Sequence, residues 1–216
     1  MTLPSAVAPP LSTTAANRRA GAVCLVAGVL GAESGLYLAV AEPRVPDSQF
    51  SYPLTAAGFV AIQLWFCVQH LGLLAGQVAL RSSGVAGPGR AVAWGHGLGI
   101  AGMALLTLTE LLAIAAADDP YPSSLTNVLD ALYGVASLAI GVGLIIVGAA
   151  VRRVGAWTGW RAWLPLALGV WVFVPMTPAI MAGFLPARLA ISAWMLLYAA
   201  LGWALASRPA AGRNAR

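Results

Sequence analysis

Six apolar stretches, at 20–41, 54–80, 92–117, 127–151, 162–184 and 189–207, take up most of the 216 residues. Each is long enough to cross ~30 Å of hydrocarbon as a helix rising about 1.5 Å per residue. Only 9% of the residues are charged and 60% are hydrophobic, whereas a soluble domain carries about 25% charged residues. A soluble fold of 22.1 kDa has no interior large enough to hide this much apolar surface. The expected fold class is therefore all-α: a polytopic six-helix transmembrane bundle with the lipid bilayer as its solvent. Residues 1–17, with Pro4, Pro9 and Pro10, read as a disordered cytoplasmic tail. Residues 18–208 read as the six-span domain and 209–216 as a second tail.

The breaks between the stretches carry the polar residues. EPRVPDSQFSYP (42–53) holds three prolines, RSSGVAGPGR (81–90) is a Gly/Ser loop, and DDPYPSS (118–124) is a turn cluster. RRVGAWTGWR (152–161) is basic and aromatic, and LPAR (185–188) leaves room only for a tight hairpin. All 12 basic residues are arginine. Arg18, Arg19, Arg81, Arg90, Arg152, Arg153, Arg161, Arg208, Arg213 and Arg216 fall on one side of a six-span topology. Arg44 and Arg188 fall on the other, with Glu42, Asp47, Asp118 and Asp119. The excess of arginine in cytoplasmic loops then puts both termini inside. Trp94, Trp157, Trp160, Trp163 and Trp203 collect near the inner boundary and Tyr52 and Tyr121 near the outer one, as interfacial anchors. The sequence pI of 9.9 thus reports membrane orientation, and no nucleic-acid partner is expected. The Ala-, Gly- and Arg-rich texture is that of high-GC bacteria, so the expected location is the bacterial plasma membrane. Ala39-Val40-Ala41 has the form of a signal-peptidase site, but the preceding apolar stretch is long for a signal peptide and Glu33 interrupts it, so an uncleaved span is expected.

Glycines recur every seven residues on the first helix (Gly21, Gly28, Gly35) and the fourth (Gly134, Gly141, Gly148), and Gly95 and Gly99 form G-x-x-x-G on the third. Small residues at these spacings let helix backbones approach closely. Cys24 and Cys67 both lie in apolar runs, without metal-ligand spacing or a disulfide framework.

A second heptad pattern is polar. Gln63, His70 and Gln77 share one helical stripe about 21 Å long, and a polar stripe in a span must face other helices or water. Glu33 lies mid-span with Tyr37 one turn later as a possible donor, and Glu110 lies in the third span with Thr107 on its face. A lone carboxylate there costs about 2.5–3.5 kcal/mol on insertion scales unless it takes up a proton. At about 12 and 10 Å from their outer helix ends, Glu33 and Glu110 have matching depths, which would let them meet and share a proton, though depth alone does not decide whether they do. Asp130, three residues after Asn127, reads as part of a helix N-cap. Pro175 and Pro178 bracket Thr177 in the fifth span and predict a helix break at the depth of the two glutamates.

Broken helices beside intramembrane acids are how transporters build sites. The leading expectation is a proton- or cation-coupled transporter with an outer-half cavity formed by Glu33, Glu110 and the proline break, extended inward by the His70 stripe. Six spans are few for a transporter, and a homo-oligomer would supply more helices. The alternative is a structural or accessory membrane protein whose polar residues serve packing. A haem protein would need His70 and His96 as axial ligands, but they lie about 9 Å apart in depth, so no cofactor and no metal are expected. No G-x-S-x-G, H-E-x-x-H or phosphate loop is present, and no enzyme chemistry is expected.

Overall fold

The computed structural model describes residues 14–207, and six of its helices are long and apolar enough to cross a membrane. These are α1 (Ala15–Val40), α2 (Ala56–Ser82), α3 (Arg90–Ala113, extended by a 3₁₀ turn to Ala116), α4 (Ser124–Val154), a composite fifth span (Gly159–Met181) and α7 (Phe184–Ala206). The fifth span contains α5 (Leu164–Trp171), a π-turn (Val172–Met176) and α6 (Thr177–Met181). No strand occurs among the described residues; a single bridge pairs Gln49 with Pro120. The expected tails at 1–17 and 209–216 lie outside the described residues except for 14–17. There Thr14 caps α1, its hydroxyl accepting from the Asn17 N–H at 3.2 Å, so the helix begins five residues before the apolar run does.

The chain folds up and down into a closed ring. Each span packs antiparallel on the next, and α7 returns to pack along α1. Large hydrophobic side chains on the outside stay exposed, among them Val68, Val135, Val174 and Met181. With apolar residues on every face, burial discriminates weakly between helix partners, and close backbone approach decides the seams. On the α1–α7 seam a Cβ at Gly28 would stand 2.5 Å from the Ala199 nitrogen and 2.7 Å from the Met195 carbonyl oxygen. Gly95 and Gly99 face Gly143 across α3–α4, and Gly141 and Gly148 face the fifth span at Gly169 and Leu166. Gly134 is different: its Cβ position has nothing within 4 Å.

Several boundaries differ from the sequence reading for identifiable reasons. LPAR is not the hairpin. The turn sits at Gly183, whose φ of 115° suits only glycine, and Pro186 is tolerated because it lies in the first turn of α7, where an N–H has no helical acceptor. Arg188 therefore belongs to a helix. The N-cap of α4 is Ser123, in a reciprocal capping box with Thr126, and not Asn127, so Asp130 lies two turns in rather than at the cap. Trp157, just past the end of α4, is buried, while Trp94, Trp160, Trp163 and Trp203 are exposed.

Two loops join over the end of the bundle opposite the described termini, here the distal end. Phe50 N–H donates to Asp119 O (3.0 Å), and Tyr121 N–H donates to Ser48 O (2.7 Å). This pairing seats Phe50 against Phe59, their ring centroids 5.5 Å apart, above a small apolar cluster of Ala113, Ala116, Ala117 and Leu129.

The seams give a paired prediction. Gly28→Ala forces backbone apart and should destabilise by about 1–3 kcal/mol, whereas Gly134→Ala, in open space, should be neutral or stabilise by about 0.4–1 kcal/mol. Thermal unfolding of the two variants in detergent micelles measures both.

Candidate functional site

Antiparallel packing of α2 on α3 brings Gln63 opposite Glu110, and α4 brings up Tyr133. The three form a closed polar triangle. Gln63 Nε2 donates to Glu110 Oε2 at 2.8 Å and to the Tyr133 hydroxyl at 3.1 Å, and Tyr133 Oη donates to the same Glu110 Oε2 at 2.8 Å. Glu110 is 5% exposed and Gln63 4%. Two donors on Oε2 fix it as an acceptor. A proton held by this carboxyl therefore sits on Oε1, the oxygen that faces His70. His70 Nδ1 lies 3.5 Å from Oε1 and has no hydrogen-bond partner, although the side chain is buried. Imidazole nitrogen and carboxyl oxygen stand just beyond the reach of about 2.6–3.2 Å at which a proton is transferred directly, so a small shift would bring them within it.

This carboxyl forms part of the wall of a cavity of about 310 Å³ to which all six spans contribute, α1 through Gly31 and Gly35. Gln63, His70 and Tyr133 line it with Glu110, as do Asp130, Arg188 and the aromatic rings of Phe50, Phe59, Phe66, Phe184 and Trp194. Asp130 accepts from the Tyr121 hydroxyl at 3.0 Å; that bond, with partial burial, holds the Tyr121 phenol above the usual tyrosine range. Arg188 lies over the Phe184 ring, 4.9 Å from its centroid. Below this cavity, toward the described termini, the space between α2 and α7 is packed. Tyr198 and Gln77 fill it, Gln77 Nε2 donating to Tyr198 Oη at 2.8 Å, and the Tyr198 ring meets the cavity-lining Trp194 edge to face at 4.9 Å.

The polar stripe is thus buried at all three positions but divides in use. Gln63 and His70 belong to the cavity, and Gln77, 3% exposed, ties α2 to α7. Glu33 and Glu110 do not meet. Glu33 is exposed and has no hydrogen-bond or ionic partner among the described residues, and Tyr37 beside it is 56% exposed. Gly35 marks the face of α1 that packs on α7, and Glu33, two residues away, points about 200° from it. Thr107 is buried, but its hydroxyl is used on the Met103 carbonyl of its own helix (2.8 Å) and does not reach Glu110. At the proline break, Thr177 is exposed. Its hydroxyl donates to the Val172 carbonyl (2.7 Å), which also receives the Thr177 N–H, so the π-turn closes on itself. Met176 and Ile180, not Pro175, Thr177 or Pro178, face the cavity. His70 and His96 line separate cavities; His96 borders a second one of about 170 Å³ with Arg81 and the 84–89 turn, so the two histidines share no site.

Tyr133 and Arg188 are the site residues that sequence reasoning missed. Tyr133 lies one residue from Gly134 in a span where aromatic side chains are usually packing groups. Arg188 was hidden by the misplaced turn.

Comparisons with protein-family models, with curated proteins and with solved structures found no match.

The triangle predicts a contrast between carboxylates. Tyr133→Phe removes a donor from a buried acceptor and should lower stability by on the order of 1 kcal/mol, while Glu33→Gln should stay within about 0.5 kcal/mol of the parent. Denaturant unfolding followed by tryptophan fluorescence reads both, and an equal effect of the two changes would contradict the assignment of Glu110 as the buried member.

Proposed function

We propose that the chain is a multi-pass protein of the bacterial plasma membrane, with both termini cytoplasmic, and that it moves a small solute in exchange with or alongside a proton carried by Glu110. The observation that carries this reading is the asymmetric carboxyl: one oxygen held by Gln63 and Tyr133, the other turned toward the unpartnered Nδ1 of His70 on a cavity wall. A purely structural carboxyl would use both oxygens for packing, because an unsatisfied buried polar atom costs about 1–3 kcal/mol. A proton carrier needs one oxygen free to load and unload. The interrupted fifth span supports the same reading, since it forms part of the cavity wall and irregular backbone at such depth is a feature of transport sites.

Orientation rests on charge. Of the nine described arginines, seven lie toward the described termini and two, Arg44 and Arg188, toward the distal end, which also carries Glu42, Asp47, Asp118 and Asp119. The cavity then belongs to the outer half. A reporter active only outside the cytoplasm should be silent when fused after Arg216 and active when inserted near Asp118; the reverse pattern would invert the cavity.

The proton itself is read by infrared difference spectroscopy of the protein in lipid. A protonated-carboxyl band should change with pH in the parent and disappear in Glu110→Gln, whose amide oxygen still accepts from Gln63 and Tyr133 and so preserves the fold. His70→Phe should leave the band but alter its pH dependence. A Glu110 band that is constant from acid to alkaline pH would leave the residue a packing group and the protein a structural or accessory one.

A further inference from the structure

We infer that the solute of the Glu110 cavity is a zwitterion, an α-amino acid with an aromatic or large apolar side chain. The inference rests on the reading that this cavity takes a solute, and it adds the chemistry. Opposite charges line one apolar space and make no ion pair with each other within 4.0 Å. Arg188 projects from α7, half-buried, and no carboxylate lies within 4.0 Å of it among the described residues. From α3, Glu110 offers Oε1, which accepts no hydrogen bond from the protein. His70 is more than nine-tenths buried and keeps Nδ1 unpartnered beside that oxygen.

Charges on a low-dielectric wall call for counter-charges, and no carboxylate touches Arg188 within 4.0 Å. A cation alone would satisfy Glu110 but face Arg188. An anion alone would satisfy Arg188 but face Glu110 and Asp130. A molecule with a carboxylate and an ammonium on adjacent atoms answers both: the guanidinium takes the carboxylate in its two-pronged geometry, and Glu110 Oε1 takes the ammonium. The remaining wall is apolar and aromatic, with Phe50, Phe66 and Trp194 in it, and accepts a side chain of matching character. The volume of about 310 Å³ lies at the small end of ligand sites, which fits a single amino acid and not a peptide. Ammonium and proton then compete for the same oxygen. The groups facing it are His70 from α2, Tyr133 and Asp130 from α4 and Arg188 from α7.

The test compares three ligands on the purified full chain by isothermal titration calorimetry: L-phenylalanine, phenethylamine, which lacks the carboxylate, and 3-phenylpropionate, which lacks the amine. Phenylalanine should bind at least about 10-fold more tightly than either. Arg188→Gln should reduce phenylalanine to the level of phenethylamine, Glu110→Gln should reduce it to the level of 3-phenylpropionate, and Arg188→Lys should retain part of the preference. Equal binding of phenethylamine would make this a cation site, and equal binding of 3-phenylpropionate an anion site. Either result, or no binding of any of the three by the parent protein, overturns the inference. A pH-dependent Glu110 band in the same preparation would show that the proton-carrying reading stands even so.

Discussion

Backbone contact at glycine is the constraint on which this ring depends. At Gly28 against Ala199, Gly95 and Gly99 against Gly143, and Gly148 against Leu166, main chains come close enough to leave no room for a methyl group. Such contacts fix both the distance and the register of neighbouring helices, which undirected apolar packing does not. Six helices held edge to edge enclose more space than their side chains fill. Tyr198 and Gln77 fill the space between α2 and α7 below, and the space above them stays open. The cavity thus follows from the same seams that make the ring.

Polar groups inside such a ring are placed by what can reach them. Glu110 finds two donors on one oxygen because α2 and α4 both pass beside α3 at that level. Arg188 reaches the same cavity from α7, its guanidinium over the ring of Phe184. Two reciprocal indole bonds, Trp171 Nε1 to the Ala190 carbonyl (2.9 Å) and Trp194 Nε1 to the Leu168 carbonyl (3.1 Å), hold the interrupted fifth span to α7 just below the break. The wall can be irregular there because it is pinned from the neighbouring helix.

Much of this was legible in the sequence, and the failures have physical causes. Span number follows from apolar length, a bulk property that no single contact overturns. The burial of Gln63, His70 and Gln77 follows from their common face. Depth, however, says nothing about rotation about the helix axis. Glu33 and Glu110 have similar depth, and only the facing direction separates an exposed acid from a buried one. That direction was encoded in Gly21, Gly28 and Gly35, which mark the packed side of α1 and exclude Glu33 from it. Arg188 was lost for a different reason. A proline two residues upstream reads as a loop, yet prolines are at home in a first helical turn, and Gly183 makes the turn instead. The capping box at Ser123 and Thr126 was likewise present in the letters, outweighed by an asparagine that looked like a better cap.

The seam between α1 and α7 joins the two ends of the ring, and this has a consequence for how the protein is made. Contacts along α1 to the fifth span are between neighbours in sequence and form as each helix emerges. The last seam must bring Gly21, Gly28 and Gly35 together with residues about 170 positions later. Until α7 arrives, α1 has one face of glycines with no partner and the five earlier spans form an open row. The row encloses nothing, and Glu110 waits in a groove rather than a chamber. The cavity thus comes into being in a single late step of biosynthesis. A chain arrested before α7 could hold every local contact of the site and still lack the chamber itself.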